Sequence, residues 1–485
     1  MAISFGGSLN SAALPQKQAA ASNYIDFATA SSSDGWAQQY LPDLMEKEAG
    51  VFGNRTISGF LSQVGAEEAM QSDQVVWSEQ GRLHLSYNAT THGSAETLTI
   101  GNDIDDNTAG ANHGIRVNDT VLISSVAATA RALVTAVSGA TVTVSLYDAS
   151  DLQTTIGAST AVVVLVYGSE YGKGESYNSD TSTTADSRTS NEPQFTTFTN
   201  KPIILKDYYE INGSDTSQIG WVEVSGEDGT GGYMWYVKAS SETRMRFADY
   251  LEMAMLESEK ATNLGSTTTD TFINGAGNAF GTEGLFSAIE TRGNMSSGIT
   301  GVNAATDLAE FDAILAEYDK QGAIEENMMF VDRGTSLAMD DMLASMNSYG
   351  AGGTSYGVFD NSEDMALNLG FSGFRRGSYD FYKSDMRYLN DKGTRGGLLD
   401  TVNNIRGVVI PAGVSTVYDQ SLGKNLKRPF LHVRYRASQT DDRKLKSWIT
   451  GSVGATTSAL DAMQIHYLSE RCLVVQGANN FFLLN

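Results

Sequence analysis

The chain has 485 residues, of which 41% are hydrophobic and 9% aromatic. This composition can fill a hydrophobic core, which excludes a globally disordered protein. Acidic residues outnumber basic ones by 57 to 33, giving a formal net charge of −24. A protein whose main surface binds nucleic acid is excluded, because phosphate binding needs a dense field of Lys and Arg. The single cysteine, Cys472, cannot form an intrachain disulfide, which excludes a disulfide-rich secreted protein.

The N-terminal sequence MAISFGGSLNSAALPQKQAA has neither a basic segment nor a continuous apolar segment, so it is not a signal peptide. The longest apolar run, residues 161–167, is far shorter than the ~20 residues of a membrane helix. We therefore expect a chain made in a cytoplasm, with no membrane partner. The 49 glycines, together with many Ser, Thr and Val residues, indicate β-structure with numerous turns.

Residues 1–74 are predicted to form an extended N-terminal arm with short helical pieces. The stretch 36–50 has a helical pattern that Pro42 interrupts. Such an arm has few apolar residues to bury, so we expect it to lie across a partner. The alternative is a frayed terminus.

From residue 75 the pattern changes to the period of two that is typical of strands, as in LHLSY at 83–87. This stretch and the strand-like residues 202–212 predict the two flanks of a long hairpin, at 75–93 and 192–212. Between them, residues 94–191 predict an inserted β-rich domain, a small barrel or sandwich, followed by a polar linker from residue 168. Its predicted strands are 96–100, 120–125, 132–137, 141–146 and 161–167, with a hairpin turn at 137–141.

The clearest helix is predicted at 242–262, within a segment 213–269. Ser240 or Ser241 can cap its N-terminus, and Met245, Leu251 and Met255 lie on one face of the 3.6-residue repeat. A helix of this length is about 30 Å long, so it can act as a strut.

Residues 270–430 predict a compact α/β subdomain, and residues 431–485 predict terminal strands. The first contains a helix from Leu308 to Tyr318, a strand at 328–331 and a helix at 336–346. Further strands are predicted at 407–413, 463–475 and 481–484. The fold class is therefore α+β.

No catalytic constellation is found. The five histidines are scattered, with no pair at metal-binding spacing. His84 and His466 are interpreted as ordinary strand residues. The sequence also lacks a phosphate-binding loop and a nucleophile elbow, and Cys472 lies in an apolar strand where a thiol is inert. We expect no enzymatic activity, no cofactor and no metal.

One charge cluster is distinctive, because residues 424–446 contain eight basic residues and only two acidic ones. The functional interpretation is a surface that docks on acidic patches of neighbouring copies or faces packaged nucleic acid. The alternative is a solvated strand and loop. The cluster comprises Lys424, Lys427, Arg428, Arg434, Arg436, Arg443, Lys444 and Lys446.

This order of elements resembles the tailed-phage major capsid proteins of the Hong Kong 97-like fold. The segment VYGSEYGKGE at 166–175, which closes the insert, also resembles stretches in capsid proteins that carry insertions. The resemblance implies an N-terminal arm, an E-loop hairpin carrying the inserted domain, a P-domain with a long spine helix, and an A-domain. The P-domain would comprise residues 213–269 and 431–485, and the A-domain residues 270–430.

The resemblance also implies a function and partners. The chain would assemble into hexamers and pentamers of an icosahedral shell around double-stranded DNA, in the cytoplasm of a bacterial host. Partners would be a separate scaffolding protein, a portal, and decoration or head-fibre proteins, with non-specific contact to packaged DNA. No long charged helix precedes residue 75, so we expect no cleaved scaffolding segment. The alternatives are a bacterial surface-layer or adhesin protein and a hydrolase with a β-rich accessory domain.

Overall fold

The computed structural model describes most of the chain. The predicted arm at 1–74 falls largely outside the described residues, as does most of the predicted linker at 168–191. The described residues are 57, 59–61, 66–81, 86–92, 96–104, 107–148, 151–174, 195–213, 223–225, 231–261, 281–295, 308–322, 324–347, 373–398, 405–412, 414–419, 424–451 and 459–485.

The first part of the described chain is mainly β-structure. A short helix, α1 (Leu152–Thr155), precedes its eighth strand. The strands are β1 (Ala66–Met70), β2 (Val75–Gln80), β3 (Ser86–His92), β4 (Thr97–Asp103), β5 (Asp119–Ser124), β6 (Thr129–Ser138), β7 (Thr141–Leu146), β8 (Ala161–Ser169) and β9 (Phe195–Asn200).

The second part combines helices and strands. Its helices are α2 (Met234–Glu257), α3 (Leu285–Arg292), α4 (Leu308–Gln321), α5 (Arg333–Asn347) and α6 (Arg387–Asn390). Its strands are β10 (Ile203–Asn212), β11 (Glu223–Ser225), β12 (Gly231–Tyr233), β13 (Asn294–Met295), β14 (Glu326–Val331), β15 (Gly373–Arg376), β16 (Tyr379–Asp385), β17 (Gly407–Pro411), β18 (Val414–Asp419), β19 (Lys424–Pro429), β20 (Leu431–Arg436), β21 (Lys446–Gly451), β22 (Ala462–Val475) and β23 (Phe482–Leu484).

The chain divides into two compact units. One of them, Trp77–Phe198, contains a closed barrel. The barrel has the strand order β3-β4-β7-β6-β5-β8, and all neighbours are antiparallel. Alternate residues point inward, so that Val121, Ile123 and Val164 are fully buried. The hairpin predicted at 137–141 is present between β6 and β7, where Gly139 adopts a left-handed φ of 58°. Of the two architectures predicted for the insert, the structure has the barrel.

Strand β3 belongs to this barrel, which corrects the prediction that residues 75–93 form a hairpin flank. It pairs with β4 on one side and β8 on the other, and its Tyr87 and Ala89 are buried in the barrel core. The insert therefore begins before residue 94. Only β2 pairs with β9 as a hairpin flank would, with the rings of Trp77 and Phe198 6.1 Å apart.

A deletion can test these barrel boundaries. Replacing residues 82–194 by a short Gly-Ser linker should leave a soluble, folded protein, because the barrel satisfies its own backbone hydrogen bonds. Deleting only residues 94–167 should cause aggregation, because Tyr87 and Ala89 lose the core that buries them. Soluble yield and circular dichroism measure both outcomes. If the shorter deletion were the better folded, these boundaries would be wrong.

The second unit contains a five-stranded sheet on which α2 packs. The strand order is β1-β20-β22-β10, and β21 pairs with the first half of β22. Strand β10 pairs with β22 over its whole length, which corrects the assignment of residues 203–212 to the hairpin. The reason is its alternation, which directs Leu205 and Ile211 toward the core. Strand β1 lies parallel to β20, so this part of the predicted arm belongs to a sheet of its own chain.

Helix α2 has the bounds Met234–Glu257. It therefore starts eight residues earlier than the predicted helix at 242–262, and its last residue is five residues earlier than the predicted one. Leu251 and Met255 are buried as predicted, at 5% and 0% exposed. Met245, predicted on the same face, is 37% exposed, whereas Phe247 is buried. Phe247 and Leu251 contact Ile465 and Tyr467 of β22, and the Phe247 and Tyr467 rings stack at 6.0 Å. The helix is therefore fixed to the sheet by aromatic and aliphatic contacts.

A six-stranded mixed sheet with the order β13-β23-β17-β14-β16-β15 forms the other layer of this unit. Helix α4 packs on it through Phe311 and Tyr318. Strand β23 pairs with β17 and β13 in this sheet, whereas the expected P-domain groups all of residues 431–485 with the segment 213–269. Its sequence FLL is buried at all three positions, so it needs a site covered on both faces. The described chain is thus a strand-rich α+β structure.

Candidate interaction surfaces

The eight residues of the basic cluster lie on three strands, β19, β20 and β21, and on the connection between the last two. Lys424, Lys427 and Arg428 lie on β19, which pairs with β18. Arg434 and Arg436 lie on β20. Arg443, Lys444 and Lys446 lie between β20 and the start of β21. The structure therefore brings the last five residues together on the five-stranded sheet.

These five basic side chains pair with carboxylates of the same chain. Glu470 lies on β22 and is 6% exposed. It accepts a hydrogen bond of 2.7 Å from Arg436 Nε, and its other carboxylate oxygen lies 2.7 Å from Arg443 Nε. Arg436 also contacts Asp73, whose hydrogen bond raises the pKa of the guanidinium. The other pairs are Arg434 with Glu68 at 2.8 Å, Lys444 with Glu67, and Lys446 with Asp441 at 2.6 Å.

This part of the cluster therefore holds strand β1 on the sheet edge. Glu67 and Glu68 are adjacent on β1, and each meets a different cation because successive strand residues point to opposite faces. The role of the eight residues in contacts between subunits stays a prediction. The sequence signal that could have revealed the partners is the Glu67-Glu68 doublet in an otherwise apolar strand, AEEAM.

A second group of carboxylates, on α2, anchors Ile57, Gly59 and Leu61. Asp249 accepts the Ile57 N–H at 2.9 Å, and Glu252 accepts the N–H groups of Gly59 and Leu61 at 2.9 and 3.2 Å. Burial raises the pKa of Glu252, although the two N–H groups act in the opposite direction. The segment ends in the core, since Phe60 meets Phe330 edge-on with ring centroids 4.7 Å apart.

The outer face of the five-stranded sheet carries a row of three aromatic residues, one on each of β10, β22 and β21. His466 is in the middle, stacked on Trp448 with ring centroids 5.1 Å apart and on Tyr208 at 6.1 Å. A hydrogen bond of 2.7 Å joins His466 Nε2 to the Thr450 hydroxyl. Tyr208 is 57% exposed and Trp448 36%.

The next cross-strand row on this sheet is basic. Lys206 and Lys446 lie on either side of Leu468 in the registers of β10 and β21 with β22. Ile204, one step further along β10, is 53% exposed. We call this surface the aromatic–lysine face, defined by Ile204, Lys206, Tyr208, Lys446, Trp448 and His466. Its centre is aromatic, with the lysines at one side and Glu210, on the cross-strand row beyond Tyr208, at the other. An apolar centre with a polar rim is typical of a contact surface.

Three observations bear on chemistry. Among the described residues, no group of three or more His, Cys, Asp or Glu could hold a metal ion. Burial raises the pKa of the Cys472 thiol to about 12. None of the described helices has the length and apolar content to span a membrane.

No protein-family model matches the chain, and no curated protein sequence matches it. Solved structures similar to it come from phages. A structure from Mycobacterium phage Ogopogo has a TM-score of 0.39 and 10% identity, covering 93% of this chain and 98% of that chain. A structure from Microbacterium phage Oxtober96 has a TM-score of 0.36 and 8% identity, covering 94% of this chain and 98% of that chain. The capsid structure of the Cyanophage P-SCSP1u has a TM-score of 0.31 and 12% identity, covering 64% of this chain and 79% of that chain. A phage capsid is therefore among the structures to which the chain is similar.

Proposed function

We propose that the chain is a major capsid protein of a tailed phage, which assembles into hexamers and pentamers of an icosahedral shell enclosing double-stranded DNA. The observation that carries the proposal is the aromatic–lysine face. An exposed row of stacked aromatic rings, crossing three strands, is a surface that a partner covers in an assembly.

The partner that fits this face is another copy of the chain. The face carries Lys206, and also Lys446, which pairs with Asp441 of its own chain, whereas the whole chain has a net charge of −24. Another copy therefore offers acidic surface that complements Lys206, while its apolar residues cover the aromatic row. A shell of many copies needs such contacts, because repulsion between acidic subunits opposes association.

The order of elements supports the finer assignment to the Hong Kong 97-like fold. The paired strands β2 and β9 correspond to the base of an E-loop, with the barrel between them in the chain. The 24-residue helix α2 corresponds to the spine helix of a P-domain. The six-stranded sheet with α4 and α5 corresponds to an A-domain.

The proposal extends to partners and location. Assembly takes place in the cytoplasm of a bacterial host with a separate scaffolding protein, and the finished shell carries a portal and decoration or head-fibre proteins. The acidic surface limits contact with packaged DNA to local, non-specific sites, because phosphates are repelled elsewhere. In this function the chain catalyses no reaction.

Electron microscopy of the purified protein tests the proposal. Shells, tubes or capsomers are expected. Planar lattices would instead indicate a surface-layer protein, and monodisperse monomers would contradict the proposal. The combined substitutions Tyr208→Ser and Trp448→Ser should abolish assembly while leaving the circular dichroism spectrum unchanged, because both side chains are exposed. Lys320→Ala, at an exposed position of α4, serves as the control that assembles normally.

A further inference from the structure

The outward residues of the barrel strands differ in polarity. Outward positions of β7 and of the first half of β4 carry small polar residues, threonine and serine, which suit strands in contact with water. On β8 the outward positions are instead apolar or aromatic, and they are exposed. Val163 is 36% exposed, Leu165 39% and Tyr167 54%.

The strands on either side of β8 extend this surface without adding charge. Leu165 lies opposite Ser86 of β3 and Leu122 of β5, and Val163 lies opposite Asn88 and Ser124. Three adjacent strands thus present an uncharged surface with an apolar centre, which we call the β8 face. Arg131 of β6, which lies opposite Leu122, borders this face, and residues 77–198 contain 13 acidic and 5 basic residues in all.

We propose that the β8 face is a contact between the barrels of two copies of the chain, related by a two-fold axis. This arrangement places Leu165 against Leu165 and Val163 against Tyr167, as an isologous contact requires. A basic partner would need carboxylates on the face for recognition, and its outward positions have none. An uncharged apolar face is complementary to a second uncharged apolar face, and acidic groups outside it remain in water.

The size of the face determines where the contact forms. Nine residues of β8 span about 30 Å, and three strands span about 14 Å, which gives roughly 400 Å². A stable pair of proteins buries about 800 Å² per partner, so this contact is weak alone. It forms where other contacts already hold copies side by side, since tethering raises the effective concentration to the millimolar range. In this respect the inference rests on the proposed function.

Disulfide trapping tests the contact, because Cys472, the single native cysteine, is buried. The Leu165→Cys full-length protein should form disulfide-linked dimers in assembled particles under mild oxidation. The control is Thr143→Cys on β7, which is three strands from β8 in either direction around the barrel. Dimers of the Leu165→Cys protein should form on the order of 100-fold faster than those of the control, because only that site would reach millimolar effective concentration.

The outcomes separate the two proposals. Normal shells in which both variants cross-link equally slowly would overturn the β8 contact and leave the capsid function intact. If no shells form, cross-linking of concentrated soluble protein decides, and equal rates for the two variants again overturn the contact. Should Leu165→Cys not fold, a mixture of Val163→Cys and Tyr167→Cys proteins should give mixed dimers, and their absence would count equally against the contact.

Discussion

Leu251→Asp should unfold the unit that contains α2. The Leu251 side chain is 5% exposed and packs with Phe247, Ile465 and Tyr467 between the helix and the sheet. An aspartate there loses the apolar contacts and buries an unpaired carboxylate, which we expect to cost at least about 3 kcal/mol. Single domains are stable by about 5–15 kcal/mol, so the variant should be mostly insoluble or unfold at much lower urea concentration.

The matched control on α2 is Arg244→Gln, since Arg244 is exposed. Glu257, near the end of α2, is unsuitable because it accepts hydrogen bonds from Arg395 and from the Tyr388 hydroxyl, the latter at 2.7 Å. Arg244→Gln should change stability by less than about 0.5 kcal/mol. Urea unfolding followed by circular dichroism measures both variants. Equal midpoints would show that the buried face of α2 is assigned wrongly.

The burial of Leu251 and Met255 on α2 was predictable because it depends on a local repeat, whereas the exposure of Met245 and the start of the helix were not. Ser240 and Ser241 read as N-caps in the sequence, yet they lie inside the helix. The Ser240 hydroxyl is 3.4 Å from that of Tyr467, on the sheet below. Packing on β22 therefore extends the helix through two serines that alone favour a terminus.

The strands of the barrel were predictable to within a few residues, because alternation and the Gly139 turn are local signals. Strand partners are not local. Strand β3 pairs with β8, β10 pairs with β22 more than 250 residues away, and β23 pairs with β17. The alternation of β10 shows that it has a buried face but not which strand it pairs with, so the sequence assigned it to its neighbour in the chain.

The basic cluster shows the same limit. Its positive charge is visible in the sequence because the residues are close together along the chain. The carboxylates that neutralise Arg434 and Lys444, Glu68 and Glu67, are more than 360 residues away and reach them through the parallel pairing of β1 with β20. A local excess of charge therefore could not reveal that its partners belong to the same chain.

Arg434→Glu should reduce the stability of the subunit itself. The Arg434 side chain is 16% exposed and pairs with Glu68, which is 27% exposed, at 2.8 Å. The substitution places two carboxylates together in a largely buried site, and breaking such a pair costs about 3–5 kcal/mol. Because part of this pair contacts water, we expect about 2–3 kcal/mol after screening.

Charge reversal separates this intrachain role from a contact between subunits. Adding Glu68→Arg to Arg434→Glu restores a pair of opposite charges within the chain, so urea unfolding should recover much of the lost stability. The control is Lys320→Glu, which breaks the exposed pair with Glu317 and should cost less than about 1 kcal/mol. The sequence-based hypothesis predicts the opposite result, normal subunit stability with failed assembly. Light scattering of the assembling protein, measured beside urea unfolding of the subunit, decides between them. If the Arg434→Glu subunit had the same urea midpoint as the unchanged protein but did not assemble, this arginine would act between copies. Its pair with Glu68 would then contribute little to the stability of the fold.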